Sequence, residues 1–304
     1  TVSVCPTDFD LDGVADNIDL DVDNDGIFNS TESLGNVSFD LLDIINPVMN
    51  LSTGSSTTAS VSTNLSLSSS ITNLVGDNSG NATSTVGPGG TEKINYKLNF
   101  IEEFNFIFTN SDNNTHTIVD DESFSLSVGP NIKTLTLLDP DNRLLIDTNF
   151  DGIFESGVTS FTANEFLFKY NPSPSGNSDF SFNAREVTEV NILHINESIL
   201  STSTFGFKIS LKDIPTDTDG DLFYDYKDLD SDDDSCYDTF EAGFNDPDNN
   251  GKLGTNPITV DYLGRVTGQG GYLTPLDADS NSIFDFLEAT TLVSITSHPI
   301  SKTI

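Results

Sequence analysis

The sequence has no tryptophan, one methionine, two cysteines and three histidines, and it sets 12 lysines and arginines against 48 aspartates and glutamates. Each scarcity removes a class of function. Without tryptophan, the usual aromatic platform for a sugar ring is missing. With cations so few and dispersed, no basic patch exists to neutralise phosphates, so nucleic acid is not an expected partner. His116, His194 and His298 stand apart, without a His or Glu at metalloprotease spacing and without a serine elbow, so neither a zinc nor a serine hydrolase is legible. No run is apolar enough to span a bilayer, and no membrane insertion is expected. No initiator methionine or signal sequence opens the chain, which is therefore expected to be a piece of something larger.

What is abundant is acid, and it is concentrated. The formal net charge is −36 over 304 residues, enough chain for two or three structural units. Residues 217–241 read DTDGDLFYDYKDLDSDDDSCYDTFE. Written as two 12-residue loops, they place acids at positions 1, 3, 5, 9 and 12. The first loop supplies Asp217, Asp219, Asp221, Asp225 and Asp228; the second supplies Asp230, Asp232, Asp234, Asp238 and Glu241. That is the ligand spacing of an EF-hand calcium loop, in which position 7 adds a backbone carbonyl and position 12 a carboxylate that grips with both oxygens. Phe223 and Cys236 occupy position 7.

The same ladder opens the chain. Asp8, Asp10, Asp12, Asp16 and Asp19 are followed by Asp21, Asp23, Asp25, Asn29 and Glu32, with Val14 and Ile27 at position 7. The offset between loops is 13 residues in both copies, and a repeat that aligns throughout is a strong signal. Gly13 and Gly26 hold position 6 here, whereas Leu222 and Ser235 hold it in the later copy, which makes those turns costlier without removing a ligand. Unneutralised, such ladders repel themselves, and bound divalent cations are the remedy. Several calcium ions are therefore the expected cofactor. Further loops are less complete. Asp147, Asn149 and Asp151, with Gly152, match a loop head, but position 12 is Val158, and a tight D-G hairpin turn is the competing reading. Asp246, Asp248 and Asn250 lead to Gly251 with no acid at position 12, and Asp277, Asp279, Asn281, Ile283, Asp285 and Glu288 complete another full pattern. The glycine-rich stretch 264–275 lacks the GK[ST] ending of a phosphate cradle and reads as a connector.

Between the ladders the period changes to two. Ile94, Tyr96, Leu98 and Phe100 alternate with polar residues, as do Phe104, Phe106 and Phe108; Phe124, Leu126 and Val128; Phe166, Phe168 and Tyr170; and Phe205, Phe207, Ile209 and Leu211. One apolar face per strand means antiparallel sheet. Weaker alternation at 37–76 suggests further strands, and residues 76–91 read as a long loop. The expected fold is all-β: a large antiparallel, jelly-roll-like β-sandwich over 37–213, with calcium-loop segments at 1–36 and 214–289, and a linker or the start of another domain at 290–304. The phenylalanines are expected to fill its core. The two ladders are expected to pack against each other or against one end of the sandwich, and the even cysteine count suggests a disulfide between Cys5 and Cys236.

Residues 8–32 and 217–241 resemble thrombospondin type 3 repeats, in which D-x-D-x-D-G loops follow one another along calcium ions; residues 246–288 resemble them more loosely. The segments DLDSDDDSCYDTFEAG, GRVTGQGGY and PLDADSNSIFDFLEA are also similar to stretches of large secreted surface proteins of Bacteroidetes, including gliding-motility adhesins exported by the type IX system. That resemblance implies an extracellular stalk or adhesive module on a bacterial cell surface. Its partners would be adjacent domains of a larger protein and surface glycans or substratum. A calcium-dependent carbohydrate-binding module and a secreted hydrolase are the alternatives. The hydrolase would need two carboxylates free of calcium, since a calcium-bound carboxylate is a poor proton donor.

Overall fold

The computed structural model describes residues 6–49, 57–63, 73–90, 92–112, 116–117, 119–129, 133–172 and 179–289. Cys5, His298, the Ser- and Thr-rich stretch 64–72 and the tail 290–304 lie outside the described residues.

In chain order the strands are β1 (Val37–Asp40), β2 (Val48–Met49), β3 (Thr57–Thr63), β4 (Leu74–Gly76), β5 (Asn81–Val86), β6 (Glu92–Asn110) and β7 (His116–Thr117). They continue as β8 (Glu122–Gly129), β9 (Leu135–Leu138), β10 (Leu144–Asp147), β11 (Ser160–Ala163), β12 (Glu165–Tyr170), β13 (Ser181–Asn196) and β14 (Ser203–Lys212). All pairings are antiparallel, and together they form one hydrogen-bonded network whose main path runs β10-β12-β8-β13-β6-β14-β1-β2. The chain is all-β as its alternation predicts, with one large antiparallel sheet. Among the described residues no helix is long and apolar enough to cross a membrane.

The two longest strands, β6 and β13, organise the network. They pair with each other from Glu92↔Asn196 to Thr109↔Ser181, with register shifts around Val187. Each exchanges its outer partner along its length: β13 pairs with β9 near Ser181 and with β8 near Asn196, and β6 pairs with β3 in its first half and β14 in its second. A bulge bends and twists a strand, and the sheet's apolar residues gather in one buried cluster. Every alternating apolar residue named above is buried there. Phe108 sits at the centre, its ring 5.3 to 6.5 Å from those of Phe207, Phe205, Phe182, Phe168 and Phe180. Each buried ring of this kind contributes about 1.5–3 kcal/mol by removal from water. The alternating strand phenylalanines are core.

One expectation fails. The stretch read as a loop at 76–91 contains β5, which pairs with β14 from Asn81↔Lys208 to Val86↔Ser203. Its inward residues are Ala82, Ser84 and Val86. Two are small and one is polar, so they leave little hydrophobic periodicity to read. Ser84 tolerates burial because its hydroxyl lies 2.9 Å from Nδ1 of His194.

Candidate metal sites

Seven stretches share one loop conformation. The residue at position 6 has positive φ in every case: Gly13, Gly26, Gly152 and Gly251, and also Leu222 (84°), Ser235 (73°) and Ser282 (78°). Position 4 is left-handed as well, at Leu11, Asn24, Phe150, Gly220, Asp233, Asn249 and Ser280. The position-6 N–H donates to the position-1 carboxylate at 2.8–3.2 Å in all seven. The position-7 N–H donates to the position-5 side chain at 2.6–2.9 Å. The position-9 N–H closes the loop on the carbonyl preceding position 1, at 2.7–3.0 Å. The turn therefore survives where glycine is absent, at a conformational cost of about 1–2 kcal/mol for a non-glycine residue. Leu222 is 90% exposed and has no packing to lose. Leu222→Gly should accordingly stabilise the loop by about 0.5–1 kcal/mol once glycine's own entropy is subtracted. A thermal melt in calcium checks this; a lower midpoint than the parent would contradict it.

At Asp147, Asp217, Asp230, Asp246 and Asp277 backbone N–H groups take both position-1 oxygens, whereas other ladder carboxylates keep an oxygen without a partner. Asp8 Oδ1 and Asp21 Oδ1 (position 1), Asp23 Oδ2 and Asp232 Oδ2 (position 3), and Asp12 Oδ2 and Asp25 Oδ2 (position 5) are buried without a hydrogen-bond partner. At position 12 the same holds for both oxygens of Glu32 and for Glu241 Oε2. Orphaned buried oxygens at the ligand positions are what a cation would satisfy. The ligand atoms of Asp8, Asp10 and Asp12, of Asp21, Asp23 and Asp25, of Asp217, Asp219 and Asp221, of Asp25, Glu32 and Asp238, and of Asp234, Cys236 and Glu241 form groups whose members lie within 4.8 Å of one another, close enough to hold a metal ion. The donor set is hard oxygen in every group but the last.

Position 9 has a structural role that its spacing does not show. Its side chain accepts from the position-2 N–H: Asp16 from Phe9, Asn29 from Val22, Asp225 from Thr218, Asp238 from Ser231 and Asp285 from Ala278, all at 2.8–3.0 Å. The incomplete loops also differ from the ladders. At 147–155 the Asn149 amide donates to Asp151 Oδ2 and Glu155 accepts from Thr148 N–H, so the turn closes on itself beside the bridge Ile146↔Glu155. Asp248 Oδ2 accepts from Asn256 N–H at 3.1 Å. In the 277–288 loop the Asn281 amide joins Asp279 to both oxygens of Glu288. Cys236 is a free, half-buried thiol, and Cys5 lies outside the described residues, so the expected disulfide gains no support.

Burial raises the proton affinity of the ladder carboxylates, and neighbouring acids add to it at most of them. Burial, followed by Asp12, pushes Asp10 up to about 7; burial pushes Asp21 to about 6 and Asp238 to about 8. Burial and then the neighbouring acids carry Asp23, Asp25 and Glu32 well above the carboxylate range, and Glu241 to about 8.

The first ladder also meets the segment that follows the second. Asn24 and Gly26 carbonyls accept from Leu253 and Tyr272 N–H at 2.8 Å, and the Tyr272 hydroxyl donates to Asp21 Oδ2 at 2.6 Å. The connector's glycines make that approach possible: a Cβ at Gly264 would stand 1.8 Å from Asp19 Oδ1. Both ladders reach the end of the sheet where β13 bulges. Buried Arg185 donates to the Asp16 carbonyl at 2.8 Å and pairs with Asp213, and Lys227 bridges Glu186 and Asp16. The connector's role left no signature beyond its glycines.

The histidines are not as isolated as their spacing suggests. His194 is buried between the hydroxyls of Ser84 and Ser203, and Ser203 donates to Glu122. The His116 ring lies 4.0 Å from that of Tyr170, tilted by 37°. His194 is buried within the sheet, and His116 is partly buried on strand β7.

No known family's sequence profile matches this chain, and no curated protein does. Among solved structures, an arabinose-bound GH51 α-L-arabinofuranosidase aligns over 62% of this chain and 28% of its own length, at 12% identity and a TM-score of 0.13, which carries no argument.

Proposed function

We propose that this chain is a calcium-stabilised, non-catalytic module of a large bacterial cell-surface adhesin, acting outside the cell in adhesion or gliding motility. The observation that supports this reading most is the set of buried, unpartnered carboxylate oxygens at positions 1, 3, 5 and 12 of a repeated loop. Cation binding would satisfy them and convert self-repelling acid ladders into a stiff element. Calcium fits better than magnesium, because flexible all-oxygen loops suit its larger, looser shell. In this reading the sheet wraps its phenylalanine core as a jelly-roll-like sandwich over 37–213, between calcium-loop segments at 1–36 and 214–289. The type 3-like loops and the surface-protein resemblance support a position among serial domains that meet glycans or substratum. A sugar-binding strand face has less support: the exposed rings Phe9, Phe150, Phe223, Phe240 and Tyr262 belong to the loop segments.

Calorimetric calcium titration tests the assignment. Asp230→Ala and Glu241→Ala each remove a ligand and should weaken binding by about tenfold or more. Asp120→Ala removes the same charge from an exposed turn outside every loop and should leave binding unchanged. Equal affinity and stoichiometry in all three variants would refute the ligand set.

A further inference from the structure

We propose that a calcium ion held between Asp25, Glu32 and Asp238 clasps the two acid ladders together, an inference that rests on the calcium-loop reading above. Loop grammar does not indicate it, since it treats each 12-residue loop as self-contained. Asp25 and Glu32 are positions 5 and 12 of the loop beginning at Asp21. Asp238 is position 9 of the loop beginning at Asp230, in the other ladder.

The geometry brings the three together. Their ligand atoms lie within 4.8 Å of one another. Asp25 is 0%, Glu32 1% and Asp238 0% exposed. Both oxygens of Glu32 and Oδ2 of Asp25 have no hydrogen-bond partner. Asp238 accepts from the Ser231 N–H at 2.9 Å and the Ser231 hydroxyl at 2.6 Å. Those bonds fix its carboxylate in place, and each oxygen keeps a further lone pair for a ligand bond. The backbone around the site is already joined across the ladders. Thr239 Oγ1 donates to the Asp25 carbonyl at 3.0 Å, and Thr216 Oγ1 to the Glu32 carbonyl at 2.8 Å.

Charge supplies the rest of the argument. Among the described residues, no ion pair reaches any of the three carboxylates. Three ionised acids buried side by side are prohibitively costly without a counter-charge, and a bridging water supplies none. One divalent cation reduces the formal charge from −3 to −1 and occupies the orphaned oxygens. All-carboxylate donors in a protein-built site favour calcium over softer metals and over magnesium, which retains its waters. The consequence is mechanical: residues 21–32 and 230–241 lock only together, and only with the ion between them.

Asp238→Asn in the full chain is the test. Asparagine at position 9 is compatible with the loop, because Asn29 closes its own loop by accepting from Val22 N–H at 3.0 Å. The variant should therefore fold, which β-sheet circular dichroism verifies, and lose the clasp. Calorimetry should show one fewer calcium ion, or one class of site weakened by about tenfold or more. Limited proteolysis in calcium should cut within 8–32 at concentrations that protect the parent. Asp120→Asn should match the parent in both measurements. Should Asp238→Asn not fold, Glu32→Gln carries the same test. If the Asp238 variant binds calcium and resists protease as Asp120→Asn does, the clasp is refuted while the loops stand. If the parent takes up no calcium, the loop reading and the clasp fall together.

Discussion

Raising the pH from 5 to 8 should destabilise this protein in EDTA and leave it stable, or stabilise it, in calcium. The sign follows from the ladder carboxylates. Burial raises Asp21, Asp228 and Asp232 to about 6, Asp10 to about 7, and Asp238 and Glu241 to about 8. In the unfolded chain the same groups titrate near 4. A folded state with the higher pKa binds more protons over the interval between the two values, so its stability is greatest below about 4 and falls as pH rises towards 8. Calcium reverses the order. A bound cation favours the ionised form, folded pKa values drop below the unfolded ones, and protons instead compete with the metal on acidification. Much of the shift at half-buried groups such as Asp228 and Asp232 is lost to solvent screening. A surviving difference of a single unit still corresponds to about 1.4 kcal/mol, and hence to about 3–6 °C in the midpoint of a chain this size. Melting curves at pH 5, 6.5 and 8, with calcium and with EDTA, give the slopes. Parallel slopes in the two conditions would mean that the acids do not share a cation.

The strands were legible because large apolar side chains alternate. From Ile94 to Leu211 each predicted inward residue is buried, and Phe108 with its neighbours forms the expected core. What stayed hidden was built from small or polar groups. Strand β5 faces inward with Ala82, Ser84 and Val86, and Ser84 is buried because His194, distant in sequence, completes its hydrogen bond. Nor does alternation reveal that β6 and β13 exchange partners around the bulge near Val187. At the loops the spacing of acids was clear, since ligand positions are local. At position 9 spacing does not show that the side chain also accepts the position-2 N–H and so ties the loop shut. The absent glycines at 222 and 235 mattered less than expected: the same left-handed turn forms at Leu222 and Ser235. The contact between ladders depends on Tyr272, Thr239 and the approach at Gly264, none of which carries a local signal.

Removing calcium should unfold the ladders and spare the sheet. Residues 8–32 and 217–241 bury little apolar side chain of their own; within them, Val22, Ile27 and Tyr226 are the buried hydrophobic residues. Their order depends on carboxylate pairs that repel without a cation, so metal binding and folding are linked there. The strands have an independent core of buried phenylalanines, tyrosines and aliphatics. In excess EDTA the sheet should keep its β circular dichroism and melt at a lower temperature, having lost the packed ladders at the bulged end of β13. Magnesium should restore less than calcium, because it requires a tighter octahedral shell. Limited proteolysis with mass mapping, in calcium and in EDTA, tests the central claim directly. The account predicts that calcium protects both ladders and that in EDTA the first cuts fall within 8–32 and 217–241. First cuts within 93–211, with both ladders still protected in EDTA, would contradict it.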